Sequence, residues 1–115
     1  QDASAYNYVG YLFAERGVNL DESVELIKKA LEIDPGNGYY LDSLGWVHFK
    51  LGRLEEAQEE LEEAASSVDD PTIHDHLGDL YSRLGLTEKA KREWERALEL
   101  DPENTRIRRK LEAIE

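Results

Sequence analysis

The sequence predicts an all-α protein: three antiparallel helix-turn-helix units in an array closed by one further helix, about seven helices in total. Two observations carry this prediction. A pair of glycines recurs three times along the chain, and a stripe of small and large residues follows each pair. The composition agrees, because 115 residues with 40% hydrophobic and 35% charged side chains are typical of a single structured domain.

The glycine pairs mark the first helix of each unit. In each pair the second glycine follows the first by seven positions: Gly10 and Gly17, Gly45 and Gly52, Gly78 and Gly85. The first glycines are 35 and 33 residues apart, close to the roughly 34-residue period of helical hairpin repeats. The second glycine of each pair is expected just past the end of a helix, where a residue with positive φ commonly terminates it.

The second helix of each unit carries three residues spaced by four and three positions, which places them on one helix face. These trios are Ser23, Ile27 and Ala30; Ala57, Leu61 and Ala64; Ala90, Trp94 and Ala97. Asp-Pro dipeptides at 34–35 and 101–102 are expected to end second helices, because proline cannot continue a helix. Asp70-Pro71 instead fits the N-cap and first residue of the next helix.

The last segment, residues 105–115, has apolar residues at Ile107, Leu111 and Ile114 with charged residues between them. This spacing predicts an amphipathic helix that covers the apolar flank of the third unit.

Together these residues resemble the tetratricopeptide repeat family over about residues 3–104. The resemblance implies a right-handed α-solenoid in one domain, 1–115, with repeats at about 3–37, 38–70 and 71–104 and a solvating helix at 105–115. Three features depart from the family pattern. Ser23 replaces a small Ala, His48 replaces an aromatic residue, and the second unit lacks its closing proline.

In this family the first helices line a concave groove, and spacing from the first glycine identifies the residues that face it. The candidate peptide-binding residues are Asn7, Tyr11, Tyr39, Asp42, Trp46, Phe49, Lys50, Asp75, Asp79 and Arg83. The same spacing includes Ser4, Ala14, Glu15, Thr72 and Ser82.

The four aromatic residues of this set, Tyr11, Tyr39, Trp46 and Phe49, are expected to supply exposed contact area for a ligand. The alternative for Trp46 and Phe49 is that they pack between neighbouring helices. The aspartates are expected to favour a basic ligand.

Family members that bind the C-terminal carboxylate of heat-shock chaperones use Lys, Asn and Arg in the groove. The corresponding positions here are Asn7, Tyr11, Ser43, Thr72 and His76. Because the basic residues are missing, the resemblance argues against a chaperone tail as the ligand.

The charge of the chain restricts its partners. The net charge is −12, which disfavours nucleic acid, and no apolar run is long enough to insert into a membrane. Residues 1–82 hold 18 acidic and 5 basic residues, whereas residues 83–115 hold 8 acidic and 9 basic ones. A basic or apolar protein partner is therefore expected, rather than an acidic one.

Catalytic and metal-binding motifs are not expected to operate here. His74 and His76 are two positions apart, so on a helix they point in different directions and cannot share an ion. The carboxylate pairs Asp75/Asp79 and Glu56/Glu60 are one turn apart, a spacing that Glu-rich helices produce by chance. The sequence thus predicts a protein that is not an enzyme and needs no cofactor.

The leading functional hypothesis is a non-catalytic scaffold that binds a peptide or protein segment, as part of a larger bacterial assembly. The alternative is a structural spacer or self-associating segment of a longer array, with homo-oligomers formed through the N-terminal edge. A regularised artificial repeat is a third reading, against which the unequal periods and Ser23 and His48 argue. The compartment stays open: the chain is expected to be soluble, with the cytoplasm first and the periplasm as the alternative for a larger exported protein.

Overall fold

A computed structural model describes residues 2–114, and these residues form seven α-helices without any strand. The helices are α1 (Ala3–Arg16), α2 (Leu20–Ile33), α3 (Gly38–Lys50), α4 (Leu54–Ser67), α5 (Pro71–Arg83), α6 (Thr87–Leu100) and α7 (Thr105–Ala113). The predicted all-α class is confirmed. Helices α1 and α2, α3 and α4, and α5 and α6 pair as hairpins, which stack into an array 44 Å long and 25 by 22 Å across.

The turn residues take the conformations that the sequence predicts. Gly17, Gly52 and Gly85 have φ angles of 68°, 81° and 79°, a left-handed conformation that glycine adopts at low cost. The carboxylate of Asp70 caps α5, whose first residue is Pro71. The Asp-Pro dipeptides at 34–35 and 101–102 directly follow the last residues of α2 and α6. Local sequence signals therefore fix where the helices begin and end.

The first glycine of each pair allows the two helices of a hairpin to approach closely. A Cβ atom on Gly10 would be 2.7 Å from Cγ1 of Ile27, and one on Gly45 would be 2.7 Å from Cγ of Leu61. Real side chains do not tolerate such distances, so any larger residue forces the helices apart. In both hairpins the glycine of the first helix therefore packs against the bulky middle residue of the trio on the second helix.

Two departures from the family pattern are satisfied polar groups in the interior. The hydroxyl of Ser23 is fully buried and donates a hydrogen bond to the backbone carbonyl of Gly10 at 2.6 Å. The ring of His48 is 3% exposed, and its Nδ1 atom is 2.6 Å from a carboxylate oxygen of Glu60. Each polar group thus has a partner on the facing helix, as buried polar groups require.

Helix α7 closes the C-terminal end of the apolar core. Ile107 and Leu111 are buried in one cluster with Trp94 of α6 and Leu80 of α5, and Ile114 packs against it. The predicted capping helix is confirmed. None of the described helices has both the length and the apolar character needed to cross a membrane.

Candidate functional site

The first helices of the three hairpins, α1, α3 and α5, contact one another in sequence and form a wall with three depressions. The N-terminal depression has a volume of about 300 Å³ and is lined by Asn7, Tyr11, Tyr39, Asp42, Ser43, Asp70, Thr72 and Ile73. The central depression has about 220 Å³ and is lined by Tyr11, Glu15, Trp46, Thr72, Asp75, His76, Asp79 and Arg106. The C-terminal depression has about 320 Å³ and is lined by Phe49, Asp79, Ser82, Arg83, Trp94 and Lys110. Neighbouring depressions share residues, so together they form one continuous groove.

The N-terminal depression contains a polar atom without a partner. The Oδ1 atom of Asn7 is buried, and within the described part of the chain nothing donates a hydrogen bond to it. Beside it stands Tyr39, which is 53% exposed. Tyr11 forms the border to the central depression, where burial, followed by the negative charges of Glu15 and Asp42, raises the pKa of its hydroxyl. This part of the groove therefore combines aromatic surface, a free amide oxygen and a negative electrostatic potential.

Trp46 does not offer an exposed aromatic face. It is 7% exposed, and its ring stacks on His76 at 3.9 Å and on Phe49 at 5.0 Å between ring centroids. Its indole N–H donates to a carboxylate oxygen of Glu15 at 2.8 Å. The expectation of an exposed Trp46 is wrong, and the alternative of packing between neighbouring helices is confirmed for it. Phe49 is half-buried in the same stack.

Two basic residues of α7 pair with the acidic residues at the C-terminal end of the groove. The Nζ atom of Lys110 is 2.8 Å from a carboxylate oxygen of Asp75 and 2.8 Å from one of Asp79. The Nη1 atom of Arg106 is 3.0 Å from the other oxygen of Asp75. Burial raises the pKa of the Asp79 carboxyl, and the hydrogen bond from Lys110 only partly offsets this. These carboxylates are thus compensated from within the chain.

The remaining acidic candidate, Asp42, is also paired. Its carboxylate is 2.9 Å from Nδ1 of His76, and both residues are buried. Asp42 and Asp75 therefore do not present free carboxylates to the groove, contrary to expectation. Of the basic candidates, Lys50 and Arg83 are exposed and lie over the rings of Trp46 and Phe49, at 5.0 and 5.6 Å from the ring centroids.

The family spacing wrongly predicts that one residue faces the groove, and it does not include two residues that line it. Ala14 is fully buried with Val24 and Ile27, because this position of α1 faces α2. Arg106 and Lys110 line the groove from α7, which the family spacing does not include. The basic composition of residues 83–115 was the available signal, because it follows a strongly acidic region that needs counter-charges.

The two histidines of the His-Asp-His segment have separate partners. His74 is 2.7 Å from carboxylate oxygens of both Glu93 and Asp69, whereas His76 contacts Asp42. Among residues 2–114 no three His, Asp or Glu side chains are arranged to hold a metal ion.

Comparison with known proteins agrees with this architecture. The tetratricopeptide repeat profile matches residues 26–59, and a second profile of the same name matches residues 71–104. The chain belongs to the tetratricopeptide repeat family. Its groove is therefore the surface that the first helices of the repeats create.

Two curated tetratricopeptide repeat-containing proteins are similar in sequence. The protein from Pseudomonas aeruginosa is 36% identical over 78 residues, which cover 68% of this chain and 13% of that protein. The protein from Methanocaldococcus jannaschii is 31% identical over 70 residues, which cover 61% of this chain and 12% of that protein. The chain thus spans about one eighth of the length of these relatives.

Solved structures of the family share the fold. The first tetratricopeptide domain of Spaghetti (RPAP3), bound to the HSP90 peptide SRMEEVD, has a TM-score of 0.87 at 24% identity and covers 99% of this chain and 90% of that one. The Sgt2 domain from Aspergillus fumigatus has a TM-score of 0.86 at 22% identity and covers 97% and 76%. These likenesses establish the α-solenoid fold.

Proposed function

We propose that this tetratricopeptide repeat protein binds an extended segment of another protein in the groove formed by α1, α3 and α5, and that it catalyses no reaction. The observation that carries the proposal is the buried, unpartnered carboxamide oxygen of Asn7, a residue that lines the N-terminal depression. A buried polar group without a hydrogen bond costs about 1–3 kcal/mol. A ligand that supplies the missing bond recovers that free energy on binding.

An extended polypeptide suits this position better than most other ligands. Its backbone presents N–H and C=O groups in alternation, so it satisfies the Asn7 carboxamide whichever way the amide group is turned. Tyr39 and Tyr11 stand beside Asn7 and offer apolar surface with polar tips, as binding surfaces commonly do. Because the helices form the groove in advance, the flexible partner bears most of the ordering entropy.

The ten candidate residues divide into two roles in this proposal. The accessible ones are proposed to contact the ligand: Asn7, Tyr11, Tyr39, Lys50, Asp79 and Arg83. The buried or stacked ones are proposed to hold the wall in shape: Asp42, Trp46, Phe49 and Asp75.

The groove favours a basic or apolar segment over an acidic one. The Spaghetti domain was solved with an acidic HSP90 peptide, but here two of the positions expected for a carboxylate clamp, Ser43 and His76, are 3% and 5% exposed. Neither presents a fixed positive charge to the groove. With a net charge of −12, the chain is proposed to bind neither nucleic acid nor acidic tails.

A second candidate function rests on the N-terminal edge. Tyr8, Val9 and Val18 are 64%, 40% and 46% exposed there, leaving apolar surface that another repeat or a second copy of the chain would cover. Sedimentation of the wild type beside Tyr8→Ser tests this: a mass that rises with concentration only in the wild type favours self-association.

Selection from a displayed library of random peptides tests the groove proposal. Peptides that bind the wild type should lose most of their affinity for an Asn7→Ala, Tyr39→Ala variant. They should also perturb backbone amide resonances of α1, α3 and α5. Tyr8→Ala is the matched control, because it removes another exposed tyrosine, one that does not line the groove.

The selection can also contradict the proposal. Peptides that bind the double variant as tightly as the wild type, or that perturb only the N-terminal edge, would move the function away from the groove.

A further inference from the structure

We propose that the central depression receives the cationic side chain of an Arg or Lys residue from the bound segment, and that Arg106 of α7 occupies this place when no ligand is bound. The inference rests on the proposed function of the groove. It adds that the ligand carries a basic side chain, and that Arg106 of this chain competes with that side chain for the same place.

The lining of the central depression matches a long basic side chain. The half-buried Tyr11 offers apolar surface along which the stem of an Arg or Lys can lie, and the buried Trp46 forms the floor beside it. Carboxylates of Glu15, Asp75 and Asp79 stand around it. The carboxylate of Glu15 accepts hydrogen bonds from the indole N–H of Trp46 and from the Tyr11 hydroxyl, so these two contacts hold its negative charge at the depression.

The charges around this depression do not balance. Four carboxylates line it or lie next to it, from Glu15, Asp42, Asp75 and Asp79. Three fixed positive charges stand against them: those of Arg106, of Lys110 and of Lys50, which lies over the Trp46 ring. The buried His76 pairs with Asp42. The raised pKa values of the Tyr11 hydroxyl and the Asp79 carboxyl agree with this excess of negative charge in a partly desolvated place.

Arg106 shows that a guanidinium group fits here, and its exposure shows that it can leave. Its side chain is 65% exposed, and it forms an ion pair with the buried Asp75 at 3.0 Å. Lys110 also pairs with Asp75, so the buried carboxylate keeps a basic partner when the exposed Arg106 leaves. Lys110, in contrast, is 23% exposed and bridges Asp75 and Asp79. We therefore expect Lys110 to remain in place while Arg106 swings aside for a basic side chain of the ligand.

A titration with two matched peptides tests the inference. The probes are acetyl-Ala-Ala-Arg-Ala-Ala-amide and the same peptide with neutral citrulline in place of Arg, added to the full chain. The indole N–H resonance of Trp46 reports on the central depression. The Arg peptide should shift this resonance and bind at least about threefold more tightly than the citrulline peptide. Arg106→Ala should tighten binding of the Arg peptide by about two- to fivefold, because it removes the exposed guanidinium group that competes for the same place.

Two variants distinguish a specific cation-binding site in the central depression from a general effect of charge on binding. Arg109→Ala removes the same charge from an exposed position of α7 and should change the affinity less than Arg106→Ala. Asp79→Asn should weaken binding of the Arg peptide more than that of the citrulline peptide. Circular dichroism of each variant confirms folding, with Arg106→Gln as the substitute if the alanine variant unfolds.

The possible failures are distinguishable. If the two peptides bind equally, or if Arg106→Ala and Arg109→Ala raise the affinity equally, the proposed cation-binding site is wrong but a peptide-binding groove is still possible. If neither peptide binds even the Arg106→Ala variant, the proposed cation-binding site is also wrong, and the library selection alone then decides the proposed function.

Discussion

The two ends of the groove are built from equivalent helices but differ in how their polar groups are satisfied. At the N-terminal end, Asn7 has a buried amide oxygen without a donor and Tyr39 stands exposed. At the C-terminal end, Asp75 and Asp79 are paired with basic side chains of α7. Repetition of the hairpin therefore gives both ends the same shape, and the element packed beside them decides their chemistry.

This difference indicates how a repeat protein can divide one surface between stability and binding. Groups that are paired within the chain stabilise the fold, and a ligand reaches them only by replacing a partner, as proposed for Arg106 at Asp75. Groups left unpaired lower stability and gain free energy when a ligand arrives, which is the usual opposition between stability and function. The following experiments test whether a residue stabilises the fold or is available to a ligand.

Replacing Trp46 by alanine should have the largest effect. The side chain is buried between His76 and Phe49, and loss of a buried aromatic typically costs about 3–5 kcal/mol of unfolding free energy. Urea denaturation measures this. Tyr39→Ala is the control, because an exposed tyrosine should change stability by less than about 0.5 kcal/mol. A stable Trp46→Ala protein that has lost its ligand would instead make Trp46 a contact residue.

Replacing Lys110 by methionine should destabilise the C-terminal end to a smaller extent. The change keeps the length of the side chain but leaves the buried carboxylate of Asp75 with Arg106 as its remaining basic partner. Removing one partner of a fully buried pair costs about 3–5 kcal/mol. Since Lys110 is partly exposed, we expect about 2 kcal/mol by urea denaturation. Arg109→Met should change stability little, and an equal loss in both variants would contradict the pairing.

Replacing Asn7 by alanine should leave stability unchanged or raise it by up to about 1 kcal/mol, because the change removes an unsatisfied buried acceptor. Thermal unfolding followed by circular dichroism measures this. A clear loss of stability would show that Asn7 supports the fold and would remove it from the proposed binding residues.

The smallest effect concerns pH and lies away from the groove. Hydrogen bonds from Arg96 and His74 lower the pKa of the Asp69 carboxyl from 3.8 to about 2. Since the folded pKa is the lower one, the ionised carboxylate stabilises the protein above pH 3.8, and this contribution disappears as the pH falls towards 2. The stability difference between wild type and Asp69→Asn should therefore shrink across this interval. A difference that is constant with pH would contradict the ion pair.

Much of the fold could be predicted from the sequence because its determinants are local. Gly52 ends a helix through its own backbone conformation, and Asp70 caps one through the next few residues. Even the approach of paired helices follows from Gly45 and Leu61, sixteen positions apart within one hairpin. Because these patterns lie within one hairpin, each of the three hairpins repeats them, and the repetition strengthens the prediction.

The candidate site could be predicted only in part because its chemistry involves distant residues. Spacing placed Trp46 on the wall, but its exposure depends on His76, which comes from the next hairpin. Spacing likewise placed Asp75 there, but its charge is compensated from α7 by Lys110 and Arg106.

The sequence by itself determined the helices, their pairing into hairpins and the capping role of α7, because glycine, proline and apolar periodicity act within one hairpin or one helix. Only the tertiary structure decided which groove residues are available. Availability depends on burial and on counter-charges, and both are set by side chains that come together only when the hairpins stack.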